Sequence, residues 1–167
     1  MEQPRRRFLL REIARLAKVS TTAAKAAIEN LLAEGIIKKT KERNFFSYSA
    51  NLDSEKFKAA KKFYTIDLLN TSGALDFIDE KLHRPEVIIL FGSASRGEDV
   101  EESDVDLFAL AAEKREIDLS KFEKVLKRKI SLMQMTKKEF EAAKKKSPEL
   151  INNLANGIIM KGHLKVI

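Results

Sequence analysis

Two aspartates, one residue apart, follow a Gly-Ser pair after an interval of ten residues. The pair is Gly92-Ser93 and the acidic residues are Asp104 and Asp106, all within FGSASRGEDVEESDVDL (91–107). SDVDLFALA (103–111) is predicted to be a strand, and because side chains alternate along a strand, both carboxylates would share one face. Carboxylates placed so closely repel each other unless a cation lies between them. The spacing therefore predicts a site for a divalent cation.

The Gly-Ser pair predicts the other half of such a site. It ends VIILF (87–91), the purest apolar run and a predicted buried strand, and Gly92 would let the backbone turn sharply and approach a ligand closely. Ser93 would offer a hydroxyl and a backbone N–H, and a helix beginning at 93–96 would add free N–H groups for an anion. The fork of Arg96 suits phosphate. Since Mg²⁺ takes oxygen ligands and retains phosphate oxygens, an Mg²⁺–nucleotide site is predicted. The alternative is a solvated strand face with an acidic cap.

The longer pattern GSASRG…SDVDL resembles the signature of the DNA polymerase β-type nucleotidyltransferase superfamily, and in particular its minimal branch. The resemblance covers about residues 71–162. It implies that Gly92 and Ser93 receive the terminal phosphates of a nucleoside triphosphate, with help from Arg96. It also implies that Asp104 and Asp106 are catalytic residues and Mg²⁺ ligands. The implied reaction is an in-line attack on the α-phosphate that releases pyrophosphate.

One feature of that superfamily is absent from the sequence. A third carboxylate usually stands on a later strand, and the matching segment here, RKISLMQM (128–135), contains neither Asp nor Glu. Its uncharged polar residues are Ser131 and Gln134, and Glu139 follows on the next predicted helix, where a surface position is expected. Catalysis would then be slow, would depend on a group that a partner protein supplies, or would be lost. Metal and nucleotide binding would be less affected.

The first third of the chain is basic and has a different pattern. Residues 1–50 contain 11 Lys/Arg and 5 Asp/Glu, whereas residues 51–167 contain 21 and 20. This asymmetry indicates a polyanion partner for the first segment. Apolar periodicity predicts a short helix within 9–20, then a helix over 21–35 that Ser20 caps and Gly35 ends. Two strands, 36–40 and 45–50, are predicted around a polar tip.

REIARLAKVSTTAAKAAIENLLAEGII (11–37) resembles the second and third helices of a winged helix-turn-helix domain. The resemblance implies that 21–34 is a recognition helix for double-stranded DNA. The implied DNA contacts are the groove-facing Thr21, Thr22 and Lys25, and the phosphate-facing Lys38, Lys39, Lys41 and Arg43 of the wing. Pro4 disfavours the usual first helix, which is therefore missing, shortened or supplied by another chain, for example in a homodimer. The alternative is a dimerisation or docking module that no longer binds DNA.

The whole chain is predicted to have an α+β fold with three parts. These are a small winged helix-turn-helix domain without its first helix (1–51), a connecting helix (52–70), and a nucleotidyltransferase domain with a mixed sheet flanked by helices (71–167). The absence of cysteine excludes disulfides and thiolate metal sites. It also agrees with a reducing, cytoplasmic location. No apolar run approaches the roughly 20 residues that span a bilayer, so no membrane partner is expected.

Three functions follow from these observations. The favoured one is an Mg²⁺-dependent nucleotidyltransferase that transfers AMP from ATP to a protein partner. The resemblance to the minimal branch suggests ATP as the nucleotide and a HEPN-type toxin as the protein partner, with this chain as the antitoxin. The second is a DNA-binding regulator whose degenerate transferase domain senses nucleotide. The third is an interaction module of a toxin–antitoxin complex.

Overall fold

The computed structural model describes residues 3–164, which fall into two compact units. The first unit is Met1–Lys61 and the second is Lys62–Ile167. The division lies within the helix Glu55–Ser72, which overlaps the predicted connecting helix. Among residues 3–164, none of the helices has both the length and the apolar character needed to cross a bilayer.

The N-terminal unit combines a small antiparallel sheet with short helices. Its elements are β1 (Phe8–Leu9), α1 (Leu10–Leu16), α2 (Thr21–Ala33), β2 (Ile37–Glu42), β3 (Phe45–Ala50) and the start of α3 (Glu55–Ser72). The strand order is β1-β3-β2. α2 begins where predicted because the Ser20 hydroxyl accepts a hydrogen bond from the backbone N–H of Ala23 (3.1 Å). Residues 3–7, which precede β1, contain no helix.

The C-terminal unit is built on a mixed four-stranded sheet. Its further elements are α4 (Ala74–Lys81), β4 (Val87–Phe91), α5 (Gly92–Arg96), β5 (Val105–Leu110), α6 (Ser120–Leu126), β6 (Ile130–Met135), α7 (Lys137–Lys146), α8 (Pro148–Ala155) and β7 (Ile158–Gly162). The strand order is β6-β5-β4-β7. β4 runs antiparallel to β5 and β7, whereas β5 and β6 are parallel. The mixed sheet flanked by helices agrees with the predicted α+β class.

Both faces of this sheet are covered, which explains the continuous apolar run in β4. One face packs Ile88, Leu90 and Leu107 among residues from α4 and α6. The other face packs Ile89 and Phe108 against residues of α7 and α8. A central strand that is buried on both faces requires apolar side chains at every position. Only the strand ends are therefore left for polar residues that meet a ligand.

Candidate functional site

One end of the sheet brings the Gly-Ser pair to the aspartates. Phe91, the last residue of β4, pairs directly with Asp106 of β5, so the chain turns at Gly92 beside that carboxylate. Gly92 has φ +69°, and a Cβ on it would lie 3.2 Å from Asp106 Cγ and would overlap with Oδ2. The Asp106 carboxylate thus occupies the space that a side chain at residue 92 would fill. Glycine is required here by backbone conformation and by close approach together.

The two carboxylates lie at the beginning of β5. The strand starts at Val105, two residues later than the sequence predicts, so Asp104 is the last residue of the preceding loop and is exposed. Asp106 is half-buried, on the sheet face that also carries Phe108. Burial, and then the negative charge of Asp104, raise the pKa of Asp106, while Arg128 opposes them. The carboxylates therefore repel each other in the metal-free protein, and a bound cation would relieve this repulsion.

Ser93 and Arg96 are both on α5, but at opposite ends of it. The helix begins at Gly92, one residue before the predicted start, and Ser93 is half-buried in its first turn. Ser95 is buried and its hydroxyl donates to the carbonyl of Gly92 (2.8 Å), so Ser93 is the serine that can face a ligand. Arg96 is exposed, and its Nε donates to Oε2 of Glu98 (2.8 Å). To bind Arg96, a phosphate would have to displace the Glu98 carboxylate. Breaking an exposed ion pair of this kind costs about 0.2–1 kcal/mol.

The β6 position next to Asp106 is occupied by a serine. Ser131 pairs with Asp106 in the parallel register and is exposed. Over residues 3–164 there is also no cluster of three or more His, Cys, Asp or Glu side chains that could hold a metal ion. Two hard oxygen ligands from the protein suit Mg²⁺, which keeps several waters and phosphate oxygens. The donor set therefore fits an Mg²⁺ ion whose remaining ligands are not protein side chains.

Glu139, the nearest acidic residue after β6, is committed to helix capping. Its carboxylate accepts from the backbone N–H of Thr136 (2.8 Å), and the Thr136 hydroxyl accepts in turn from the backbone N–H of Glu139. This reciprocal pair is a capping box. The hydrogen bond from Lys114, and then the bonds at Thr136, lower the pKa of Glu139 to about 2. Glu139 therefore completes the capping box of α7 as its third helical residue.

Glu139→Gln is expected to lower the free energy of unfolding in a pH-dependent way. Because the pKa of Glu139 falls from 4.5 to about 2 on folding, its stabilising contribution is present above about pH 4.5 and is lost as the pH falls towards 2. Urea unfolding of wild type and variant between pH 2 and 7 should therefore give curves that converge towards the acidic end. Lys114→Met, which removes the largest cause of the shift, should shrink the difference. A gap of constant size across this range would contradict the assignment.

A buried ion pair at this end of the sheet was missed by sequence reasoning. Arg128, two residues before β6, donates from Nη1 to Oδ2 of Asp99 (2.7 Å). Asp99 is 2% exposed and lies in the acidic loop between α5 and β5. The two residues are 29 positions apart, and neither belongs to a recognisable motif. Only the fold brings them together.

The predicted DNA-contacting residues are all exposed in the N-terminal unit. Thr21, Thr22 and Lys25 lie in the first two turns of α2. The hairpin residues differ among themselves: Lys38 is ion-paired with Asp53 (2.9 Å), whereas Lys39 lies over the Phe46 ring, 4.0 Å from its centroid. Side chains alternate along β2, so Lys39 and Lys41 share a face and Lys38 occupies the other. Arg43 is in the turn between the strands, with φ +37°.

The polymerase β nucleotidyltransferase family model matches residues 75–160, slightly more than half of the 167-residue chain. No match was found among curated proteins or among solved structures. The matched segment begins in α4, ends in β7, and contains the Gly92 turn, both aspartates and Arg128. The chain therefore belongs to the polymerase β nucleotidyltransferase family, whose general function is nucleotidyl transfer.

Proposed function

We propose that this chain is an Mg²⁺-dependent enzyme that transfers AMP from ATP to a protein acceptor. The observation that carries the proposal is the packing of the Asp106 carboxylate into the space left by Gly92, beside Asp104. Two repelling carboxylates held in this way are unfavourable without a cation. The family match supports nucleotidyl transfer as the reaction, and the minimal-branch resemblance supports ATP and a protein acceptor.

The residues of this chain would divide the work between binding and orientation. Asp104 and Asp106 would hold Mg²⁺, which when bound would neutralise charge on the attacking and leaving oxygens. Ser93 would donate a hydrogen bond to the terminal phosphates, and Gly92 would allow their approach. The acceptor oxygen would form a bond to the α-phosphorus while the bond from that phosphorus to the bridging oxygen breaks, so that pyrophosphate leaves.

The proton of the acceptor hydroxyl has no acidic residue of β6 to receive it. Ser131 stands beside Asp106 where a neighbouring strand could have placed a carboxylate. We infer that this proton passes to solvent or to a group that the acceptor protein supplies. Transfer would then be slow with small hydroxyl compounds and faster with the proper protein. A HEPN-type toxin is the acceptor that the resemblance suggests, which would make this chain its antitoxin.

Calorimetric titration of ATP, with and without Mg²⁺, tests the binding step. We expect Mg²⁺-dependent heat of binding to the isolated chain. Incubation with α-³²P-labelled ATP and a co-purified partner then tests transfer, with label expected on the partner. The absence of binding at millimolar ATP would refute the proposal for the isolated chain.

A second proposed function is binding of double-stranded DNA by the N-terminal unit. It is favoured by the exposed side chains on the first turns of α2 and on the hairpin, in the segment that carries the chain's positive excess. The winged helix-turn-helix resemblance gives these two surfaces complementary roles, with α2 in the major groove and the hairpin on phosphates. The transferase domain would then sense nucleotide or regulate the DNA-bound form.

Lys39→Ala, Lys41→Ala and Arg43→Ala, combined in one variant, are expected to weaken binding to a short mixed-sequence duplex. Each lost phosphate contact removes about 0.9 from the slope of log affinity against log salt. Fluorescence anisotropy across a salt series should therefore show a slope lower by roughly 2–3. Lys38→Ala is the matched control, because Asp53 already holds that ammonium and a smaller change is expected. An unchanged slope in the triple variant would show that these three side chains do not contact phosphates, and would contradict the role proposed for the hairpin.

A further inference from the structure

The Arg128 guanidinium contacts three separate groups of the loop that ends in Asp104. Nη1 donates to the Asp99 carboxylate (2.7 Å), Nε to the carbonyl of Ser103 (2.9 Å), and Nη2 to the carbonyl of Asp104 (3.1 Å). Arginine presents its five N–H donors in a rigid planar fork, so the three acceptors are fixed relative to one another. Asp104 is thus held through its own main chain.

This arrangement is a buried feature of the unit. The Arg128 side chain is 15% exposed and that of Asp99 is 2% exposed. A second tie lies beside it, where the backbone N–H of Val105 donates to the carbonyl of Lys129 (2.8 Å). The start of β5 is therefore joined to the segment before β6 by both main-chain and side-chain bonds.

The loop held by Arg128 is one that would otherwise position Asp104 poorly. Residues 97–104 contain no helix or strand, and Glu98 and Glu102 are exposed to solvent. Asp106 is fixed by the β5 ladder, whereas Asp104 lies outside it. Two carboxylates can share a cation only if their separation is held, so the loop residue is the one that needs an additional restraint.

We propose that Arg128 is a positioning residue of the aspartate site, which holds Asp104 at the distance from Asp106 that a shared divalent cation requires. This inference rests on the proposed metal-dependent function. Arg128 acts through Asp104 and Asp99, and its guanidinium is engaged with the loop. Outer residues that orient metal ligands typically contribute about 10- to 100-fold to metal affinity.

The probe is Mn²⁺ alone, a substitute for Mg²⁺ whose free-ion signal is measured by electron paramagnetic resonance. Arg128→Lys retains the positive charge but lacks the fork, so it cannot hold Asp99 and both carbonyls together. We expect Mn²⁺ affinity to fall by about 10- to 100-fold. Lys161→Gln is the matched control, because Lys161 also forms an ion pair, with Asp76 (2.7 Å), but lies away from the site. Lys161 of β7 pairs with Ile88 of β4, and Ile88 lies towards the end of β4 that is opposite to the Gly92 turn. Its Mn²⁺ affinity should remain within twofold of wild type.

A second variant separates positioning from stability. Asp99→Leu combined with Arg128→Met replaces the buried pair by apolar side chains, a change that is often neutral or stabilising. If Arg128 positions Asp104, this variant melts near the wild-type temperature yet loses Mn²⁺ affinity to a similar extent. If instead Arg128 contributes only to the stability of the loop, the folded double variant should bind Mn²⁺ within twofold of wild type. That result would overturn the proposal.

The outcomes also separate this inference from the proposed function. Wild type that binds Mn²⁺, with equally tight binding by both Arg128 variants, overturns the positioning role alone. Wild type that binds neither Mn²⁺ nor Mg²⁺–ATP overturns the proposed function and this inference with it. A drop confined to the Arg128 variants, with the Lys161 control unchanged, supports both.

Discussion

Gly92→Ala is expected to abolish metal-dependent nucleotide binding and to lower the free energy of unfolding. The new Cβ would overlap with Oδ2 of Asp106 and lie 3.2 Å from its Cγ, so the carboxylate must move away from its position beside Asp104. The backbone adds a separate cost, because φ is +69° and a non-glycine residue in the left-handed region costs about 1–2 kcal/mol. Calorimetry with Mg²⁺–ATP measures the first effect, and urea unfolding measures the second.

Gly73→Ala is the matched control for this prediction. Gly73 belongs to the same unit and has φ +77°, but a Cβ there would meet no atom within 4 Å. We expect a similar loss of about 1–2 kcal/mol from the backbone alone. Mg²⁺–ATP binding should be retained. If both variants bind equally well, the close approach of Gly92 to Asp106 has no part in the site.

Asp106→Asn is expected to remove Mg²⁺-dependent ATP binding while leaving the metal-free protein as stable as wild type or more so. An uncharged amide oxygen binds a hard cation more weakly than a carboxylate does, so the loss should exceed the roughly 10- to 100-fold that outer residues contribute. The stability effect has the opposite sign, because burial and the Asp104 charge disfavour the ionised form of Asp106. Functional residues often lower the free energy of unfolding in this way.

Glu102→Gln is the control for charge in the same loop. Glu102 is exposed, two residues before Asp104, and its change also removes one negative charge. It should leave Mg²⁺–ATP affinity within twofold and should not stabilise the protein. Calorimetry and thermal melting of both variants decide the matter. If Asp106→Asn retains Mg²⁺-dependent binding, the aspartates are a solvated strand end and the proposed function fails.

The sequence alone located most of the elements of the C-terminal unit, because their signals are local. VIILF is apolar at every position, and the structure has β4 over the same residues, 87–91. Pro148 begins α8, since proline fits the first helical turn. The family signature was likewise readable, since its glycine, serine and aspartates stand at a set spacing.

The short-range pattern also determined the chemistry that the aspartates favour. Two carboxylates one residue apart at a strand start repel each other in any fold that keeps them there, which predicts a cation. The same pattern placed the start of β5 two residues too early, because the alternation of Asp and apolar residues does not show where ladder hydrogen bonds begin.

Contacts between distant segments were decided only by the tertiary structure. The overlap between a side chain at residue 92 and Asp106 follows from antiparallel pairing of β4 with β5, and the neighbour of Asp106 on β6 is Ser131 because β5 and β6 are parallel and in register. The bonds from Arg128 to the loop join residues 24 to 29 positions apart. Hydrophobic periodicity reports which side of an element is buried, and carries no information about which residue of another element faces it. The sequence therefore determined which residues form the site and which chemistry they favour, whereas the packing of the sheet decided which residues contact them.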